Sequence, residues 1–278
     1  MEKIIIAIDS HNLDENAVCF ACHIAKLTGS KLSAVFLEDR QAVRNLAFEA
    51  ITEPPARAEE TLLEATLEEA QGQSLRERNM LLFKDLATGE GVRSSLYLDK
   101  GVPAKELIAE TLFADLLILD ANAFGDIAGD PPSGFVRDIV HDAACPVFIA
   151  PEKFNGIDNI VFCYDGGRSS LYAMKQFVHL FPGLASQRAK LVDLHPEGTA
   201  PLDQARIITW LKTHYAAVDW LSVRPDEATA LFSFLGEKGD DIIVMGAYGK
   251  GLLSSFFTQD EQLGITRTTP VPLFVSQH

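Results

Sequence analysis

The chain has 278 residues, room for one large or two ordinary domains, and is 47% hydrophobic and 23% charged, a make-up that can bury a sizeable core. Its formal net charge of −15 argues against nucleic acid or an anionic membrane surface as a partner, although backbone amides alone can hold a phosphate. No apolar run approaches the ~18 residues of a membrane span and the opening MEKIIIAIDS lacks an export signal, so the four cysteines point to free thiols in a reducing, cytoplasmic setting.

Lys3–Asp9 (KIIIAID) is a continuous apolar run ending in an acid, the pattern of a parallel strand buried on both faces. Apolar residues from Asp14 to Thr28 recur at helical spacing, and Gly29 is placed to end that helix. Lys31–Leu37 is a second strand. Residues 39–58 are mixed, with Pro54-Pro55 as a break. Glu59 to about Leu86 reads as a long charged helix with an interruption expected near Gly72. Val92–Leu98 is a third strand, Pro103 opens a helix through Leu112, and Asp115–Leu119 is a fourth strand. A loop over Asp120–Pro132, a helix over Ser133–Ala143 and a strand over Pro146–Ala150 follow.

The same order then recurs. Asn159–Asp165 (NIVFCYD) echoes Lys3–Asp9, and Leu171–Leu180 is helical. Ala189–Leu194 is a strand, Leu202–His214 a helix, Val218–Val223 a strand and Pro225–Gly236 a helix. Asp241–Met245 echoes Asp115–Leu119, and Pro272–Val275 echoes Pro146–Ile149. Between them lie a glycine-bearing loop and a short helix-like segment. Asp9 and Asp165 are 156 residues apart, but Asp115 and Asp241, like Pro146 and Pro272, are 126 apart. The first copy therefore carries an insertion, about 39–88. The copies are domain-sized, 1–152 and 153–278. Alternating strands and helices imply two five-stranded parallel sheets of Rossmann-like, adenine nucleotide alpha hydrolase-like α/β type. A ligand crevice is expected at the carboxyl ends of each copy's first and fourth strands.

The residues at those ends are specific. Gly246-Ala-Tyr-Gly249 follows the Asp241–Met245 strand, and closely spaced glycines let backbone amides approach a phosphate. Together with the two Asp-ended strands, Gly101-Val-Pro103, Ala114–Asp120 and Cys145-Pro-Val-Phe148, this stretch resembles tandem universal stress proteins. Their usual pattern is Gly, two residues, Gly, nine residues, then Gly with Ser or Thr. The resemblance implies two domains packed as an internal pseudo-dimer, with the last strands meeting near Phe148 and Phe274. In members that bind ATP, it implies that the acid ending the first strand contacts the adenosine part and the glycines hold the phosphates. Asp165, Gly246 and Gly249 carry over in the second half, and Asp9 in the first. Gln259-Asp260 stands where the helix-capping Gly-Ser pair belongs, and Lys250 can offset the added carboxylate. In the first half Asp120 and Ala123 replace the two leading glycines, and Ser133-Gly134 the later pair. An aspartate there opposes a phosphate, so this half reads as a non-binder of ATP.

Other motifs carry less. Cys19-Phe-Ala-Cys22-His23 matches a haem-attachment pattern but lies within a predicted amphipathic helix, as small core-facing residues would. Asp165-Gly-Gly-Arg-Ser-Ser170 is similar to the Ser-Gly-Gly-x-Asp-Ser loop of ATP-pyrophosphatases, with acid and serine exchanged. No metal-ligand or nucleophile-elbow spacing occurs, and Leu252 replaces the lysine of a Walker loop. The expected function is stress-related regulation or ligand sensing without catalysis, no bound cofactor, and action through an unidentified protein partner or a homodimer of the tandem chain. An ATP or AMP sensor working through the second domain, and an adenylating enzyme, are the alternatives.

Overall fold

The computed structural model describes residues 1–38, 48, 51, 54–99, 102–121, 123–124, 134–194, 200–224, 241–247, 258–259, 267–268 and 271–276. The first half runs β1 (Lys3–Asp9), α1 (Glu15–Thr28), β2 (Lys31–Leu37), α2 (Pro55–Gly89), β3 (Ser94–Asp99), α3 (Pro103–Thr111), β4 (Leu116–Asp120), α4 (Gly134–Asp142) and β5 (Val147–Ala150). The second runs β6 (Asn159–Tyr164), α5 (Arg168–Leu180), β7 (Arg188–Asp193), α6 (Pro201–Leu211), β8 (Val218–Ser222), β9 (Asp241–Gly246), the two-residue strands β10 (Thr258–Gln259) and β11 (Arg267–Thr268), and β12 (Leu273–Ser276).

Ten of these strands form one sheet in the order β3-β2-β1-β4-β5-β12-β9-β6-β7-β8. Each half is parallel within itself, and the order of the second mirrors the first. The halves join where β5 and β12 pair antiparallel, with Phe148 opposite Phe274 and Val147 opposite Val275. This joint is the one the sequence expects, and it leaves neither last strand as a bare edge. The Phe148 and Phe274 rings meet edge-on at 5.2 Å, and Phe177 and Phe181 pack on both. Alternation along each strand feeds two apolar layers: Ile4 and Ile6 enter one, Ile5 and Ala7 the other, and both layers run across the joint.

Three differences from the sequence reading bear on function. Helix α2 is a single 35-residue helix without the interruption expected near Gly72. One interior glycine costs a helix only about 1 kcal/mol, and tertiary contacts in the turns that follow hold this one. Phe83 and Ala87 are buried, with the Phe83 ring 6.2 Å from Phe36; Asn79 Nδ2 donates to the Ser10 carbonyl at 3.0 Å; and Arg76 pairs with the largely buried Glu38 at 3.0 Å. Helix α5 begins at Arg168, three residues before the expected Leu171. Gln259 lies in a short antiparallel ladder opposite Arg267, not at the head of a helix; the threonine-rich stretch around it favours extended backbone. The predicted helix over 225–236 and the loop over 125–132 lie outside the described residues, as do most of 39–53. No helix among the described residues is long and apolar enough to cross a membrane.

Candidate functional site

The sheet order places the carboxyl ends of β1 and β4 side by side in the first half, and those of β6 and β9 in the second. These are the two switch points at which ligands enter open α/β sheets. Asp9, Asp165 and Gly246 all sit there, as the sequence predicts. Gly249, Lys250, Asp260 and Ser133 lie outside the described residues, and of Gln259 only the backbone is described.

The two acids do the same local work. Asp9 Oδ1 accepts the N–H of His11 at 2.9 Å, and Asp165 Oδ1 accepts that of Gly167 at 2.9 Å. Each carboxylate thus folds its own strand-to-helix turn, the Asx arrangement. Beyond this turn the halves part. In the first, helix α1 starts only at Glu15, behind Asp14, whose side chain accepts from Asn16 N at 2.8 Å. Burial pushes the Asp14 carboxyl up, against the N–H groups of Asn16 and Ala17 and with help from the Glu152 charge. In the second, helix α5 starts at Arg168, the counterpart of Asn12, one turn earlier.

That extra turn lands on Gly246. A Cβ at this position would lie 2.7 Å from both the Ser169 carbonyl carbon and the Ser170 nitrogen, and closer still to Ser169 Oγ. Backbone cannot yield there, so the glycine is required for β9 to end against the helix. Ser170 Oγ donates to the Gly167 carbonyl at 2.8 Å, closing the first turn. Ser169 Oγ is buried without a hydrogen-bond partner among the described residues. The glycine that the sequence assigns to phosphate contact therefore faces the chain's own helix start. The short spacing between Asp165 and Ser169 is the signal for this, legible only once the helix start is known.

In the first half the counterpart of Gly246 is Asp120. Together with Asp9, Asn12, Asp14 and Ala123 it lines a cavity of about 10 Å³, space for a single water molecule and far below the roughly 300 Å³ at which ligand pockets begin. Neither Asp120 nor Ala123 needs a glycine-like backbone. The left-handed angle in this turn falls on Phe124, at φ 50, whose ring packs at a tilt against Phe135, with centroids 4.8 Å apart. Helix α2 walls the same edge. His11 Nε2 lies 2.8 Å from where a Cβ on Gly72 would stand, so the β1–α1 turn and the helix meet at a residue without a side chain. Sequence reasoning missed this contact and the Arg76–Glu38 pair, because nothing in their spacing couples an insertion to the turn after β1.

The cysteine motif is structural in geometry. Cys22 is buried, and burial pushes its thiol up to about 12, while Cys19, one turn before it on α1, is exposed. His23 packs on the Phe154 ring at 4.8 Å, and burial lowers its pKa. Among the described residues no cluster of three potential metal ligands occurs.

The sequence profile of the universal stress protein family matches residues 1–151, more than half of the chain. No curated protein matches it. Among solved structures, a universal stress protein from Archaeoglobus fulgidus is similar over 99% of this chain and 98% of its own, at 15% identity and a TM-score of 0.58. A Pseudomonas aeruginosa protein of unknown function is similar over 100% and 92%, at 16% identity and a TM-score of 0.54. A second protein from that species, assigned to the universal stress proteins, is similar over 100% and 93%, at 16% identity and a TM-score of 0.56. At such identities the likeness is one of fold, and it spans both halves of the sheet. With the family match over the first half and this shared fold over the whole, the chain belongs to the universal stress protein family.

Proposed function

We propose that this chain is a non-catalytic, cytoplasmic regulator of the universal stress protein type that has given up nucleotide and acts through protein contact. Each half, 1–152 and 153–278, is one domain in this reading. The observation that carries it is the first turn of α5 seated on Gly246, where a Cβ would lie 2.7 Å from the backbone of Ser169 and Ser170. The phosphates of a bound ATP need that edge open, and the chain fills it with itself. The cavity of about 10 Å³ beside Asp120 supports the same reading in the first half. An adenylating enzyme is disfavoured, because Ser170 Oγ is engaged by the Gly167 carbonyl.

One observation favours a second reading, a nucleotide sensor in the second half: Asp165 and Gly246 end neighbouring strands, as an adenosine and phosphate contact require. Calorimetric titration of nucleotide-stripped protein with ATP and Mg²⁺ separates the two. No heat, and no thermal shift at millimolar ATP, is the expected result. Binding near one site per chain that Gly249→Val abolishes would replace the proposal with the sensor.

A further inference from the structure

Helix α2 is far longer than the sheet it packs on. Its 35 residues span about 52 Å, whereas a seven-residue strand spans roughly 23 Å. Phe83 and Ala87 lie on the sheet, and Gly72, Arg76 and Asn79 cross its carboxyl edge against His11, Glu38 and Ser10. The turns before Gly72 project beyond that edge. Between 57 and 71 only Ala65 is buried.

The face opposite the buried one is not a solvated charged face. Leu63, Leu67, Ala70, Ser74, Glu77 and Leu81 follow one another at alternating steps of four and three, and every one of them is exposed. Leu63 is 61%, Leu67 53% and Leu81 61% accessible. That step pattern keeps a single seam facing a second helix. Three leucines in such a seam are an unsupported cost on a surface that has no helix against it among the described residues.

The charge along α2 is asymmetric, and this selects the partner. Glu59, Glu60, Glu64, Glu68 and Glu69 stand in its first half, against Arg57 alone; Arg76, Arg78 and Lys84 stand in its second, with Glu77 and Asp85. A parallel copy would set acid beside acid. An antiparallel copy, turned about a two-fold axis near Gly72, sets Leu63 opposite Leu81, Ala70 opposite Ser74 and Glu60 opposite Lys84, with Glu64 flanking Arg78. Small residues at the centre permit close approach of the two helices, and Glu77 covers Leu67 with its methylene stem in the two symmetry-related mixed layers. The surface is complementary to itself under that rotation, which is the requirement for a closed symmetric dimer.

We infer that the outer face of α2 is a docking surface for a second copy of this chain, forming an antiparallel helix pair about Gly72. The inference rests on the reading above that the protein acts through protein contact, and names the partner of the inserted segment. Sedimentation equilibrium of the full chain tests it. The expected mass is twice 30.4 kDa, falling to that of a monomer in Leu63→Glu/Leu81→Glu with an unchanged circular-dichroism spectrum, since both side chains are exposed in the protomer. A wild-type monomer, or a dimer that survives the double substitution, overturns the proposal. Direction is read by oxidative cross-linking in a Cys19→Ser background. Leu63→Cys with Leu81→Cys gives covalent dimers, and Leu63→Cys alone does not; cross-linking through Leu63→Cys alone overturns the antiparallel arrangement. The two readings fail separately. A dimer that also binds ATP leaves this surface standing and removes the nucleotide-free function, whereas a monomer that ignores ATP does the reverse.

Discussion

The two halves of the sheet have the same strand order and carry an aspartate at the same place, yet the space beside that aspartate is taken up by different means. In the first half α1 starts late, and side chains from Asp120, Asn12 and Asp14 line what remains, with α2 across the rim. In the second the helix itself advances one turn and rests on Gly246. The comparison separates what the fold demands from what a ligand would demand. The Asx turns at Asp9 and Asp165 are common to both halves and belong to the fold. Gly246 lacks a counterpart in the first half because no helix start approaches Asp120 so closely.

The joint between the halves gives the largest expected effect. Phe274 is fully buried and packs on Phe148, Phe177 and Phe181. Phe274→Ala removes an aromatic ring from a core continuous across both halves, at a cost of about 4 kcal/mol. Wild-type protein should melt in a single calorimetric transition, because neither half completes its apolar layers alone. Two resolved transitions in the wild type would show that the halves fold independently and that the shared layers couple them weakly.

Next come two identical substitutions with opposite expected signs. Gly246→Ala drives a Cβ into the backbone of Ser169 and Ser170, and should destabilise by about 3 kcal/mol, as overpacking against an unyielding neighbour does. Gly72→Ala meets only the Nε2 tip of the exposed His11 ring, which can rotate away, while the helix recovers up to about 1 kcal/mol of propensity. Chemical denaturation of both variants decides the matter. Equal and small effects would mean that α5 does not sit on Gly246, and the second crevice would again be open to a phosphate. Asp120→Ala, at the first-half counterpart, should change stability by less than about 1 kcal/mol, as a partly exposed strand-end residue does.

Much of this architecture is legible in the sequence, for a physical reason. Strands such as KIIIAID are buried on both faces, so their apolar runs are unbroken and their ends are marked by Asp9 and Asp165. The 126-residue recurrence of Asp115 and Pro146 fixes the order of the last strands, and with it the pairing of Phe148 with Phe274. The helix starts are less legible. Arg168, Ser169 and Ser170 have no strong capping signature, and the position that decides whether Gly246 faces solvent or backbone depends on where that helix begins. The continuity of α2 through Gly72 is likewise set by tertiary contacts with Ser10, His11 and Glu38, from a different part of the chain, and local propensity carries no trace of them.

The smallest expected effect concerns acids that start equivalent strands. Asp241 is buried and accepts from Asn159 Nδ2 at 2.5 Å, with Lys190 at 3.6 Å. Its first-half counterpart, Asp115, sits at the surface and accepts the backbone N–H groups of Glu2 at 2.7 Å and Lys3 at 2.9 Å, tying the start of β1 to β4. Burial acts to raise the Asp115 pKa, and the two backbone donors outweigh it, so the carboxyl is held below its ordinary value of 3.8. A group depressed on folding contributes stability that is fully present above the unfolded pKa, near 4, and is lost as pH falls through the folded value. Asp115→Asn keeps the shape and removes the charge. It should cost less than about 1 kcal/mol at neutral pH, the screened worth of a partly exposed carboxylate. Thermal melts of variant and wild type, followed from neutral pH downward, should converge only below about pH 4, where protonation removes from the wild type what the substitution removes from the variant. Curves that stay parallel through that range would mean the two N–H groups are satisfied equally well by the amide, and that the tie between β1 and β4 is one of shape and not of charge.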